Sequence, residues 1–165
     1  MQMRVYVPMT VPMLEQLSQD RLFMPLSGTV FTVTPALREA YTADGDDELA
    51  EVAMAEAARA SLRLLSAQPG ARTRRVVVSA DVAAAEHRPD LDAAVARVHE
   101  PITLKQVASV HVDLEDAEED VRRAAEVVDA ADLGDEDAEF ALGDAEDHSL
   151  AWYATQELPF LLELM

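Results

Sequence analysis

The stretch from Asp46 to Gln68 constrains this fold more than any other, because it reads as one long helix with company on most of its sides. Asp46, Asp47 and Glu48 open it, where unpaired backbone N–H groups and the helix dipole favour anions. Gln68-Pro69-Gly70 closes it, since proline cannot continue the backbone ladder. Wound at about 100° per residue, Glu48, Glu51, Glu56, Arg59 and Arg63 gather in one stripe, and the positions between them are Ala, Leu, Val, Met or Ser. So narrow a polar face predicts the central helix of one compact domain covering residues 1–165. A domain of this length buries about 70% of its unfolded surface and needs no covalent staples.

Around that helix the sequence predicts a mixed sheet. Arg4–Val7, ended by Pro8, reads as a first strand, and Thr10 with Pro12 starts a helix over Val11–Ser18. Phe23–Ser27 is irregular; Thr29–Val33 alternates as a second strand, and Thr34-Pro35 opens a short helix over Ala36–Tyr41. Asp44-Gly45 is the turn into the long helix. Arg74–Ala80 is apolar without alternation at its centre, as in an interior strand covered on both faces. Ala83–Asp90 reads as loop, Leu91–Val98 fits either a helix or an edge strand, and Thr103–Val107 is a helical turn. Ala108–Val112 is a strand, and the acidic run from Asp113 starts a helix buried through Val121, Ala124, Ala125 and Val128. A further acidic helix over Asp135–Asp147, a strand over Leu150–Thr155 and an apolar tail, Leu158–Met165, complete the chain. The expected fold is α/β or α+β, with a partly parallel sheet of about four to six strands. Tyr6 with Pro12-Met13-Leu14 is echoed by Tyr153 with Pro159-Phe160-Leu161, as if one strand–turn–helix unit stood at both ends.

Charge narrows the partners. Residues 1–80 hold 8 Arg against 9 Asp and Glu, a balance of −1; residues 81–165 hold 5 Lys and Arg against 23 Asp and Glu, a balance of −18. Such a field opposes nucleic-acid phosphates and anionic membranes, so neither is an expected partner. No apolar run approaches the ~18 residues of a membrane span, and the opening residues lack a signal-peptide pattern, which makes a cytoplasmic location the expectation.

The blocks MRVYVP, TPALREAY, AARASLRLL and ADLGDEDAEF…AEDHSLAWYATQELPFLLEL, spread from one end of the chain to the other, resemble an uncharacterised family of high-GC Gram-positive bacteria. The resemblance implies a bacterial protein of one domain and supplies no activity, cofactor or site residues.

Motifs of familiar chemistry are missing. There is no P-loop, no G-x-G-x-x-G and no G-x-S-x-G; cysteine is absent, and His87, His99, His111 and His148 never stand at zinc-ligand spacing. Candidates come from position alone. In sheets with parallel strands, ligand groups gather past the carboxyl ends. Asp81 follows one expected strand, and His111 with Asp113 ends another; together they could hold Mg²⁺ or Mn²⁺ or act as acid and base in a metal-dependent hydrolase. The same Asp residues also suit turns and helix caps. Asp147 and His148 precede the last strand. Arg74 and Arg75, with Arg72, form the basic cluster, suited to an anion or to neutralising the acidic half, and Trp152 or Tyr153 could anchor a partner. The preferred reading is a non-catalytic interaction or regulatory protein that meets a basic partner through its acidic surface, without a cofactor. A homodimer through the apolar tail is a further expectation.

Overall fold

In the computed structural model, which describes residues 2–41 and 45–165, the first strand lies in the middle of the sheet. β1 (Met3–Met9) leads into α1 (Val11–Asp20), β2 (Leu22–Phe23) and, after a turn at Leu26–Gly28, β3 (Thr29–Phe31). Then come α2 (Pro35–Ala40), the long α3 (Asp46–Ser66), β4 (Val76–Val82) and three short strands: β5 (Glu86–His87), β6 (Val95–Arg97) and β7 (Ile102–Thr103). β8 (Val107–Val112), α4 (Glu118–Asp132), α5 (Glu136–Glu146), β9 (Ala151–Ala154) and α6 (Leu158–Leu164) follow.

Seven strands pair in the order β5-β6-β3-β1-β4-β8-β9 with every neighbour antiparallel, and β2 and β7 form a separate small ladder. This overturns the expected partly parallel sheet of four to six strands. The apolar run of β4 does mark a strand covered on both faces, but the cover requires no parallel crossover. On one face Val76, Val78, Ala80, Val5, Val7 and Val110 pack beneath α1, through Leu14 and Leu17, and α6, through Leu158 and Leu161. On the other, Tyr6, Phe31 and Val77 pack against Leu49, Ala53 and Ala57 of α3 and Leu37 of α2. Unbroken hydrophobicity therefore reports two-sided cover and says nothing of strand direction.

α3 touches the sheet with one side and the α4–α5 hairpin with the next. Ser61, fully buried, donates to the carbonyl of Met9 (2.7 Å) and accepts from the N–H of Val76 (3.1 Å), tying the helix to the ends of β1 and β4. Leu62 and Leu65 enter a second cluster with Val121, Ala124, Val128 and Leu142. The polar stripe divides: Glu48 and Glu51 face solvent, whereas Arg59 and Arg63 reach Asp132 and Glu139 at the hairpin.

Local differences have local causes. Thr34 caps α2 as its sequence predicts, accepting from Leu37 N–H (3.0 Å). Thr10 occupies the N-cap of α1 but spends its hydroxyl on Gln68 Oε1 (2.9 Å). Ala83–Asp90, expected as loop, contains β5, and the ambiguous Leu91–Val98 yields β6. The turn expected at Asp44-Gly45 lies partly outside the described residues. The echoed strand–helix units are both present, and α1 and α6 join the same core; Tyr6 faces α3, though, and Tyr153 faces α1 and α6, so the two are not equivalent. The apolar tail folds back as α6, burying Leu158 and Leu161 and leaving Phe160 and Leu164 exposed. Among the described residues no helix is long and apolar enough to cross a membrane.

Candidate functional site

Alternation along β8 sends Val110 and Val112 to the α1–α6 core and turns Ser109 and His111 toward α3. Directly opposite His111 lie Val77 on β4 and Trp152 on β9. Its Nε2 stands 2.9 Å from Ser109 Oγ and 3.3 Å from Ser79 Oγ, and burial depresses its proton affinity, favouring the neutral ring.

One residue past β8, Asp113 accepts two hydrogen bonds from the Arg75 guanidinium and one from its backbone N–H, each at 2.8 Å, and both residues are buried. Arg75 also donates to the carbonyl of His148 (2.9 Å). His148 Nε2 lies 2.8 Å from Asp120 Oδ2; this contact, with Arg123 second, holds the Asp120 carboxyl below its usual range.

Arg75, His111 and His148 border a cleft of about 800 Å³ between α3 and the α5–β9 connection. Tyr6 and His111 form its floor, Glu51, Met54 and Arg59 one wall, and Glu146, His148 and Leu150 the other. An imidazole beside two hydroxyls resembles the start of a nucleophilic pair, but Ser79 and Ser109 are buried, and among the described residues no carboxylate orients the ring from its far side.

Of the residues singled out from the sequence, Arg75, His111, Asp113 and His148 are neighbours here, and Trp152 stands beside His111. Arg74 and Arg72 both turn to Glu118, at 3.0 and 3.9 Å. Asp81 is elsewhere. It pairs with Arg4 at the opposite end of β4, 2.6 Å from its Nε, roughly 20 Å from Asp113 at about 3.3 Å per residue. The carboxyl-end reasoning fails here because neighbouring antiparallel strands end on opposite sides of the sheet. Among the described residues no three His, Cys, Asp or Glu side chains form a metal-ligand group. Ser109 was open to inference, since it shares a strand face with His111 two positions on; Tyr6 and Ser79 become visible only with the β1–β4–β8 register.

Asp147 belongs to a second feature. After Arg123 the chain has no Lys or Arg, and residues 124–165 carry 12 Asp and Glu. α5 buries Ala138, Leu142 and Ala145 and presents Glu136, Phe140, Gly143 and Asp144 outward, with Asp147 at its C-cap. Phe140 is 76% exposed within a shallow groove of about 510 Å³ lined by these five and Glu139. Glu139 is committed to Arg59 (2.8 Å), while among the described residues Glu136, Asp144 and Asp147 have no cationic partner. Leu133, at the hairpin tip, is 90% exposed.

No curated protein and no solved structure matches the chain. A family model described as a family of unknown function (DUF6912) matches residues 3–162, nearly the entire chain, and the chain belongs to that family.

Proposed function

We propose that this protein is a non-catalytic interaction module whose α4–α5 hairpin receives a basic segment of a protein partner. The observation that carries the reading is Phe140, an exposed aromatic anchor beside Glu136, Asp144 and Asp147, which among the described residues no cation pairs with. Aromatic anchors supply contact area, and a surrounding field of one sign selects partners of the other and steers their approach. A helix with Arg or Lys on its flanks and a Leu stripe between them fits the groove.

A labelled amphipathic peptide of that composition, titrated by fluorescence anisotropy, tests the idea. Binding should weaken at least tenfold on Phe140→Ser and fade as salt rises from about 0.05 to about 0.5 M. Equal affinity for the Phe140→Ser protein, or binding indifferent to salt, would sink it.

Metal-dependent hydrolysis, the other reading of the sequence, needs Asp81, His111 and Asp113 around one ligand, and their separation gives it no support. The tail offers a second surface. Phe160 and Leu164 point outward from α6 and suit a second copy of the chain. Sedimentation at about 100 µM should then show a dimer that Phe160→Glu with Leu164→Glu converts to monomer; a monomeric unmodified protein ends that reading.

A further inference from the structure

Another cavity, of about 430 Å³, flanks α3 and shares Glu56 with the border of the His111 cleft; its size is within the range of about 300–1,000 Å³ that small-molecule sites occupy. Met13, Phe31, Leu64 and Val95 give it an apolar side, and Leu26 and Leu91, both largely exposed, also line it. Three carboxylates border the same hollow: Glu56 of α3, Asp92 of the β5–β6 connection, and Asp132, which Arg59 and Arg63 hold.

The charges around that hollow do not cancel. Arg63 also borders it, but its Nε and Nη2 are held by Asp132 at 2.7 and 3.0 Å. Arg59 is bound to Asp132 and Glu139. Asp92 accepts one hydrogen bond, from the N–H of Ala93. Glu56, half-buried, has no hydrogen bond or ion pair to any described residue. Burial, and then the charge of Asp92, raises its proton affinity. Two carboxylates without a cationic partner, Glu56 and Asp92, beside the apolar side of the cavity, with the nearby guanidinium groups bound to Asp132 and Glu139, leave room for a positive charge that carries a hydrophobic body.

We infer that this cavity binds a small organic amine, with its alkyl or aryl body among Phe31, Leu64 and Val95 and its ammonium group between Glu56 and Asp92. The inference is independent of the docking surface on α5, which uses none of these residues.

The test compares n-octylamine, n-octanol and octanoate by methyl NMR of the full chain, following Ala60, Leu64 and Leu91. Octylamine should give saturable shifts at these methyls and bind at least tenfold more tightly than octanol, with octanoate weakest. Glu56→Gln with Asp92→Asn should erase the preference for the amine while leaving octanol binding unchanged. Glu56→Lys, which supplies its own ammonium beside Asp92, should exclude the amine. Phe140→Ser should leave the amine in place, separating this site from the α5 surface. Equal binding of octanol and octylamine, retention of the amine preference by the Gln/Asn variant, or no saturable shift below about 5 mM would each overturn the assignment.

Discussion

Arg75 and Asp113 are joined by two parallel guanidinium–carboxylate hydrogen bonds of 2.8 Å, buried where β4 begins and β8 ends. Asp113 N–H returns a bond to the Arg75 carbonyl (3.1 Å), so backbone and side chains close the same corner. Removing one partner strands the other charge without water. Arg75→Met or Asp113→Ala alone should therefore cost about 3–5 kcal/mol in urea denaturation. Arg75→Met combined with Asp113→Leu should recover most of that loss, and a strictly additive double variant would refute the coupling.

Ser61 makes a subtler bridge. Its hydroxyl satisfies a carbonyl of β1 and an N–H of β4 at once. Ser61→Ala leaves both backbone groups buried without that partner and should destabilise the protein by about 1–3 kcal/mol. Hydrogen exchange at Val76 N–H should accelerate in parallel. An unchanged rate there would show that the bond contributes little.

Two glycines should answer oppositely to alanine. Gly28 has φ +69°, and a Cβ there would sit 2.3 Å from the Val98 carbonyl oxygen, at the point where Val98 N–H bonds back to Gly28 (2.8 Å). Gly28→Ala should cost several kcal/mol, about 3 or more, and loosen the β3–β6 pairing. A Cβ on Gly143 meets nothing within 4 Å, so Gly143→Ala should stabilise the free protein by about 0.5–1 kcal/mol. The added methyl enters the groove beside Phe140 and should weaken peptide capture in the anisotropy assay.

Acid should open the hairpin before it melts the sheet. Arg63 first, then Arg59, holds the Asp132 carboxyl below 3.8, and Arg59 does the same for Glu139 below 4.5. Because the folded values lie below the unfolded ones, the unfolded chain takes up protons first as pH falls. The stabilisation is complete above the unfolded values and is lost as pH drops through the folded ones. Asp132→Asn should flatten the stability profile below about pH 4 and lower stability at pH 7. An Asn variant with the acid slope of the unaltered protein would place the titrating groups elsewhere.

Much of the scaffold was legible in the sequence. α3 begins at Asp46 as its acidic opening predicts and ends at Ser66, close to the Pro69-Gly70 stop, because a long periodic pattern with chemical signals at both ends leaves little freedom. The interior position of β4 and the buried stripe of α4 followed from residue spacing in the same way. β5 and β7 were hidden, and β6 was legible only as one of two options for Leu91–Val98: at two or three residues each they have no period of their own and exist because a neighbour offers backbone partners. Strand direction was invisible for a related reason. Val76–Val78 would be equally apolar in either orientation, and only the pairing of Val76 with Val112 and with Met9 reveals it. That pairing is also why Asp81 and Asp113 part company while Arg75, which the sequence marks as one of a basic cluster, meets Asp113.

The position of β1 has a consequence for synthesis. Its longest ladder is with β4, joining Met3 to Val82 and Met9 to Val76, so its main partner leaves the ribosome nearly seventy residues after it does. At about 5–20 residues per second, Val5, Val7 and Met9 wait several seconds for the strand that shelters them. Such distant closure slows folding, and a nascent chain stalled before Val76 would present the apolar β1 to chaperones without its longest ladder.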